Sequence, residues 1–512
     1  MLRVFFLAAL LLVLWLPAFC QQPERMQGNP MEDNPLNPLN FGLREASDGM
    51  ERYNALMACH REAVASHRPV SYAGIDTIRL VVPENAASIP LPYITDFAGA
   101  VIVVRNNSGH NVTLFSLTGD KEPEEIKVDC RMLEDNDFRE VPEFRSGYNL
   151  LIVDDKTPWS AHQHRGNAFY RSDLIAIAEG HSQNSTIAPF TDAAAMPLFR
   201  YVTVSSDVKS IEHVTIIRDR SSANITYCFS VANQYNVAFR NVHVVTPRSI
   251  LFGDKIFDIA NSAMVSFSNI IIDSSYSSKN SYGYAFCLTN VAGIRFENIR
   301  CRTAWHAFAA ASVNGVEMRR CVANGFSLLC YGRDIHATEC DMRVRGFHLS
   351  SLFGTLRLDS CYFSQCTPVM LRSDYNAYTP FDIRASHCSV DASRKYHAFV
   401  NAVFFSNQPN RRPELSALCL PNIWVEALTV NNRPLYRQFD ILALSGNMKV
   451  GERQVDYLQH IEVNGLRTMC KGRQSKCRIF LSRHAVKTVR KFSANYKNVD
   501  NGDADIINCI GN

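Results

Sequence analysis

Val265-Ser266-Phe267-Ser268-Asn269-Ile270 reads apolar, polar, apolar, two polar residues, then apolar again, and the phrase returns from about Val208 to Val390. Further copies run Val237 to Val242 and Ile294 to Ile299, then Val316 to Cys321, Ile335 to Cys340 and Leu356 to Cys361. A copy at Ile211 to Ile216 begins the run, and a looser one from Phe381 to Cys388 ends it. The last apolar slot falls at Ile216, Val242, Ile270, Ile299, Cys321, Cys340, Cys361 and Cys388, in steps of 26, 28, 29, 22, 19, 21 and 27 residues. Steps of about 20 to 30 residues with a period-two strand in each copy are the mark of a solenoid. Helical repeats would show a 3.6 period, and leucine-rich repeats a Leu-x-x-Leu-x-Leu signature. Neither is present, so each copy reads as one coil of a β-helix.

Register adds a second argument. Asn241, Asn269 and Asn298 each stand one residue before the last slot. Stacked at the strand spacing of about 4.8 Å, their amides would bond along the stack. Asn also tolerates the left-handed backbone of a tight turn. Cys321, Cys340, Cys361 and Cys388 fall in the apolar file beside them. A zinc site needs converging ligands at tight spacing, so these thiols read as small buried hydrophobes.

With 512 residues, 46% of them hydrophobic, the chain is long enough for a large core, and its net charge of +4 does not point to nucleic acid. Residues 1–20 have a secretory pattern: Arg3, an apolar run from Val4 to Leu16, and small residues at Ala18 and Cys20. The run is shorter than the roughly 20 residues a membrane span needs. A lipid anchor on Cys20 is the rival reading, disfavoured by bulky Phe19. The expectation is an exported protein (periplasmic, secreted or at the cell surface) with no transmembrane segment in its mature form. Residues 21–40 read as a flexible leader. Residues 41–69 contain a capping helix, with Asp48 as its N-cap and Gly49 to His67 as its body. Residues 70–207 are read as irregular first coils, 208–392 as regular coils, and 393–512 as C-terminal coils with a basic cap. The acidic residues between Asp120 and Asp155 lack the fixed spacing of a calcium loop and read as a solvated face. His162 and His164 lack a third ligand placed by spacing. Cys470 and Cys477 are the best disulfide candidates.

With Val70 to Thr77, Cys330 to Asp334 and Tyr375 to Pro380, the pattern resembles the right-handed parallel β-helices of the pectin-lyase-like superfamily, and among them exported bacterial proteins. The resemblance covers most of Phe41 to Ser393. It implies an all-β, single-stranded right-handed parallel β-helix with an N-terminal capping helix. Relatives of this fold include polysaccharide lyases, glycoside hydrolases, tailspikes and adhesins, so a polysaccharide is the implied partner and the activity stays open. No cofactor is firmly implied, though a lyase of this kind often uses calcium.

Lyase chemistry needs a base and a cation to neutralise the uronic carboxylate. A hydrolase needs two carboxylates. The polygalacturonase order (Asn-Thr-Asp, Asp-Asp, Gly-His-Gly, Arg-x-Lys) is not found, and Asp154-Asp155 lies too early to serve it. What remains is a set of residues on turns between coils. His306, His348 and Tyr331 are candidate acids or bases, and Arg333 is a candidate carboxylate clamp. Trp305, Tyr375 and Tyr378 offer flat rings for sugars, with Lys279 and Asp334 as polar partners. The bland reading makes Arg333 and Asp334 a surface pair and the aromatics core caps. Two functions follow: lyase-type cleavage of an acidic glycan, or non-catalytic glycan binding and surface adhesion.

Overall fold

The computed structural model describes residues 34–119, 121–161, 168–187, 197–219, 222, 226–246, 254–274, 283–301, 306–372, 381–392, 397–404, 421–432, 438–446, 460–470, 476–482, 494–497 and 505–507. Among them, thirty strands join in one sheet that winds into stacked coils, and a separate sheet has five strands. The register steps one coil at a time: Val237 pairs with Val265, Val265 with Ile294, Ile294 with Val316, Val316 with Ile335 and Ile335 with Leu356, all parallel. This is a right-handed parallel β-helix. Three rows of strands form its faces. The row containing His306–Arg319, Phe326–Leu328, Phe347–Leu349 and Val369–Arg372 is called the first face below. The repeated phrase lies on the second face, and its last apolar slot opens the third.

The parallel register stacks like on like. Phe115, Phe229, Phe257, Phe286, Phe308, Phe326 and Phe347 form one file, with successive ring centroids 5.6, 5.2, 4.9, 5.1, 6.3 and 6.0 Å apart. Phe239, Phe267 and Phe296 form a second file at 5.1 and 5.2 Å. Each ring is fully buried, which stabilises the core by about 1.5–3 kcal/mol per side chain. The asparagine ladder is present: Asn269 donates to Asn241, and Asn298 to Asn269, both at 3.0 Å. Its residues have φ of 53–56°. Arg320, Glu339, Ser360 and His387 continue that position with φ of 52–54°, so the coil imposes the left-handed turn whatever residue is there. The four cysteines of the file are buried, each thiol donating to a carbonyl of the preceding coil at 3.4–3.6 Å. A second ladder, Asn290 to Asn261 at 2.9 Å, lies at another corner.

Helix α1 (Gly49–Ser66) covers the first coil, and Asp48 and Glu51 form its capping box. Tyr53, Leu56 and Met57 are buried as their spacing suggests, whereas Met50 is exposed. Cys59 and His60 join the buried face instead, and the His60 ring bridges the Tyr72 hydroxyl (2.8 Å) and the Pro90 carbonyl (3.0 Å).

The main departure from the sequence expectation lies between residues 119 and 208. Strands Val101–Asn106 and Val112–Thr118 pair directly with Lys209–Arg218 and Thr226–Ala232, so two early coils continue straight into the regular ones. The intervening chain leaves the stack and forms the five-stranded antiparallel sheet from Glu124–Ile126, Tyr148–Ala161, Ala168–Ala178, His181–Ser182 and Leu198–Val204. Reading residues 70–207 as irregular coils fails over this insertion because its strands pair antiparallel with one another, and a strand's own residues do not declare its pairing direction. Leu150, Ile152, Leu174, Ala176 and Val202 pack on Ala263 and Ala292 of the helix body. On the opposite side, Leu151, Val153, Ile175, Ile177 and Phe199 build a core of their own with Leu133, Phe138 and Phe144. The strands expected in the C-terminal part are present as His397–Phe404, Asn422–Asn432, Gln438–Gly446, Ile461–Cys470 and Lys476–Ser482.

Candidate functional site

The structure separates the candidate residues into two groups. One lies at the corner between the first and second faces, where the insertion docks. Tyr331 is 1% exposed, and its hydroxyl donates to the Ser172 carbonyl at 2.7 Å while accepting from the Ser172 amide. Burial pushes its phenol well above the ordinary tyrosine range. Ser312 also donates to the Ser172 carbonyl, and Asn314 donates to that of Ser185. Arg333 donates to the carbonyls of Thr186 and Ile187 at 3.3 and 3.2 Å, with Asp334 3.4 Å away. Asp334 accepts from the Thr355 amide of the next coil at 2.8 Å. Tyr331 and Arg333 thus bind backbone of the insertion, and Asp334 binds backbone of its own stack.

The second group lies on the first face. His306 begins its strand just before the core residues Ala307 and Phe308. His348 lies between the core residues Phe347 and Leu349, so it projects outward, yet it is 7% exposed, and His306 is 1% exposed. The two rings meet edge to face with centroids 4.8 Å apart. Between them runs the intervening coil, whose Ser327 is in register with His348. The Ser327 and Ser350 hydroxyls are buried and have no hydrogen-bond partner among the described residues. Ser350 follows Leu349, and Arg372 follows Leu371, the partner of Leu349 in the next coil. Arg345 stands in the turn that leads into Phe347–Leu349.

Electrostatics bind this group together. Burial, then His348, Arg345 and Arg372, hold His306 well below the ordinary histidine range. Burial, then Arg372 and Arg345, bring His348 down to about 3. Both imidazoles are therefore neutral at neutral pH, in a positive environment. Arg345 and Arg372 are not among the sequence candidates, where Arg333 is the one arginine offered as a carboxylate clamp. The available signal was the shared coil register with His348.

One backbone feature singles out Arg345. Val344 has φ of 70°, and the Arg345 amide donates to the Arg343 carbonyl at 2.8 Å, closing a three-residue turn around a β-branched residue. Such turns are rare and strained, and strain of this kind concentrates at functional sites.

Lys279, Trp305, Tyr375 and Tyr378 lie outside the described residues, as do His162 and His164, and the side chains of Cys470 and Cys477. Among the described residues, no group of three or more His, Cys, Asp or Glu side chains is placed to hold a metal ion. Asp129 and Asp137 of the acidic stretch pair with Arg131 and Arg139 at 2.6 and 2.5 Å. No helix among the described residues is long and apolar enough to cross a membrane.

No family model and no curated protein sequence matches the chain. Solved structures do. The tailspike protein gp49 from Pseudomonas phage LKA1 is similar over 92% of this chain and 84% of its own, at 12% identity and a TM-score of 0.45. A hyperthermoactive exopolygalacturonase from Thermotoga maritima is similar over 91% of each chain, at 12% identity and a TM-score of 0.30. The tailspike protein of E. coli bacteriophage HK620, in complex with a pentasaccharide, covers 95% of this chain and 83% of its own, at 8% identity and a TM-score of 0.34. The likeness is one of fold alone.

Proposed function

We propose that this is an exported β-helix protein that engages polysaccharide through the first face, around His306, Ser327 and His348, as a binding protein rather than a lyase. The carrying observation is the outward-facing but buried histidine pair, beside two serine hydroxyls that have no hydrogen-bond partner among the described residues. Buried polar groups left unsatisfied by the protein are the ones a ligand can satisfy. In sequence, Trp305 directly precedes His306, and Tyr375 and Tyr378 closely follow Arg372, and rings of these types stack on sugars. Binding is preferred over lyase chemistry because a general base works best with a pKa near the operating pH, and His348 at about 3 is far too weak a base. Tyr331, the other candidate, is engaged with Ser172.

The deciding experiment incubates the protein with uronic-acid and neutral polymers, with and without calcium. It follows absorbance of an unsaturated product and retention on polymer-loaded affinity gels. Retention without product is the expected result. Product formation would restore the lyase reading, and neither retention nor product would remove polysaccharide altogether.

A further inference from the structure

Under the capping helix, one histidine is held by two hydrogen bonds matched to its neutral form. His60 is fully buried on helix α1. Its Nδ1 lies 3.0 Å from the Pro90 carbonyl, and its Nε2 lies 2.8 Å from the Tyr72 hydroxyl. A carbonyl only accepts, so Nδ1 carries the hydrogen and Nε2 accepts from Tyr72. The ring thus ties the helix to the first coil at two places, the strand Ile89–Pro90 and the residue that follows Val70–Ser71. Tyr72 is itself fully buried, with the Phe97 ring centroid 4.6 Å from its own.

The helix packs on Pro38–Phe41, Val70–Ser71, Thr77–Val82 and Ile89–Pro90. Beside the ring on the helix, Cys59 is neutral, because burial pushes its thiol up to about 12. Tyr53 is buried and donates to the Ala87 carbonyl. Glu51, Arg61 and Glu62 are exposed, as is Arg79 on the strand Thr77–Val82. Arg52 is half-buried and donates to the carbonyls of Glu45 and Arg79. Pro38–Phe41, Val70–Ser71 and Ile89–Pro90 carry no titratable side chain. None of these elements brings a buried carboxylate to balance a charge on the ring.

We infer that His60 is an acid-operated latch: proton uptake by its ring releases helix α1 from the first coil and opens the end of the stack. A protonated ring has an N–H on both sides. The Tyr72 hydroxyl must then turn its hydrogen toward apolar surroundings, and a buried positive charge is left unbalanced. Once the helix lifts, the ring reaches water and both costs vanish. Burial brings the capped ring down to about 4, against about 6.5 in water. The uncapped state therefore takes up the proton first, and as pH falls through this window opening is favoured by up to about tenfold per unit. The end of a repeat array opens most readily, since each coil touches only its neighbours. Opening bares the outer edges of Thr77–Val82 and Ile89–Pro90, which pair within the stack with Val101–Asn106 and Val112–Thr118. A bared edge is a template for another strand.

The test is hydrogen exchange of the full chain from pH 7 to pH 4, read by mass spectrometry and corrected for the intrinsic pH dependence of exchange. Residues 49–66 should be less protected than the strands Lys255–Ser274 and Tyr284–Glu297. Their protection should fall by up to about tenfold per pH unit below about pH 6.5. His348→Gln should leave that fall in place. His60→Gln offers one N–H and one carbonyl at every pH, so it should hold the cap and flatten the profile. If that variant does not fold, the profile of the unaltered chain decides. Constant protection of the helix from pH 7 to pH 4 overturns the inference. Equal protection of helix and coils at every pH also overturns it, because the helix would then open only with the whole chain. An unchanged profile in His60→Gln does the same.

Discussion

At the insertion corner, Tyr331, Ser312, Asn314 and Arg333 all make hydrogen bonds to backbone of the insertion. On the neighbouring first face, the Ser327 and Ser350 hydroxyls are just as deeply buried and have no hydrogen-bond partner among the described residues. Both places bring together a ring, an arginine and small polar side chains. What differs is that the small polar side chains of the corner are matched by backbone of the insertion, and the two serine hydroxyls are not. A buried polar group with its partner in place holds structure together, and one without is a cost the fold carries for another reason. The comparison therefore assigns Tyr331 and Arg333 to docking, and leaves His306 and His348 as the residues to test for ligand.

The strongest way to break that assignment is Tyr331→Ala. Losing a fully buried aromatic side chain should cost about 3–5 kcal/mol, and the Ser172 amide and carbonyl also lose their partner. Chemical denaturation should show the loss. Limited proteolysis should cut within residues 120–207 well before the coils. Arg333→Ala should speed the same cleavage more modestly and leave polysaccharide retention unchanged. Loss of binding in Arg333→Ala with the insertion still protected would return Arg333 to the functional site.

The coils, the asparagine ladder and the capping helix were legible because each depends on local periodicity that a parallel stack repeats in register. The insertion was not. Leu150 to Val153 alternate with a core on both sides, and nothing in a strand's own residues says whether its neighbour runs parallel or antiparallel. Tyr331 and Arg333 were misleading for a related reason: their partners, Ser172 and Thr186 to Ile187, lie some 150 residues away. Arg345 and Arg372 carried no local signal, as their place beside the histidines follows from the register of Leu349 with Leu371. The left-handed turns at Arg320, Glu339 and His387 were hidden too, because the coil imposes a conformation their residue types do not favour.

Stability against pH sharpens the contrast next. His348 is held at about 3 in the folded chain, against about 6.5 when unfolded. Between these values the unfolded chain binds more protons, so its contribution to stability is complete above about pH 6.5 and is lost as pH falls toward 3. The slope should approach about 1.4 kcal/mol per pH unit for this one group. His60, brought down to about 4 by its burial under the capping helix, adds a second slope of the same sign. Denaturation midpoints of the ligand-free protein at pH 7 and pH 5 should show the combined loss, and His348→Gln should remove its share. Nothing comparable is expected of Tyr331 at the insertion corner, whose phenol is held well above this range. A wild-type slope unchanged in His348→Gln would mean that the ring is open to protons, and the case for a neutral, buried pair would fail.

The smallest effect separates the strain at Val344 from its use. A positive φ in a three-residue turn costs an L residue about 1–3 kcal/mol, and a β-branched side chain is among the worst suited to it. Val344 is 37% exposed, so replacing it forfeits little burial. Glycine has no Cβ to clash at this φ, so Val344→Gly should raise stability by about 0.5–1 kcal/mol once its greater freedom in the unfolded chain is offset. If the strain serves only to turn the chain, the gain comes without loss, and polysaccharide retention is unchanged. If the rigid valine turn also fixes the direction in which Arg345 leaves it, the same substitution should stabilise the protein while weakening polysaccharide retention a few-fold. That opposite movement of stability and affinity is the expected result, and thermal melts beside retention on polymer-loaded gels read both. A fall in stability would mean that the valine side chain packs well enough to outweigh the turn, and Arg345 would then be placed by packing rather than by strain.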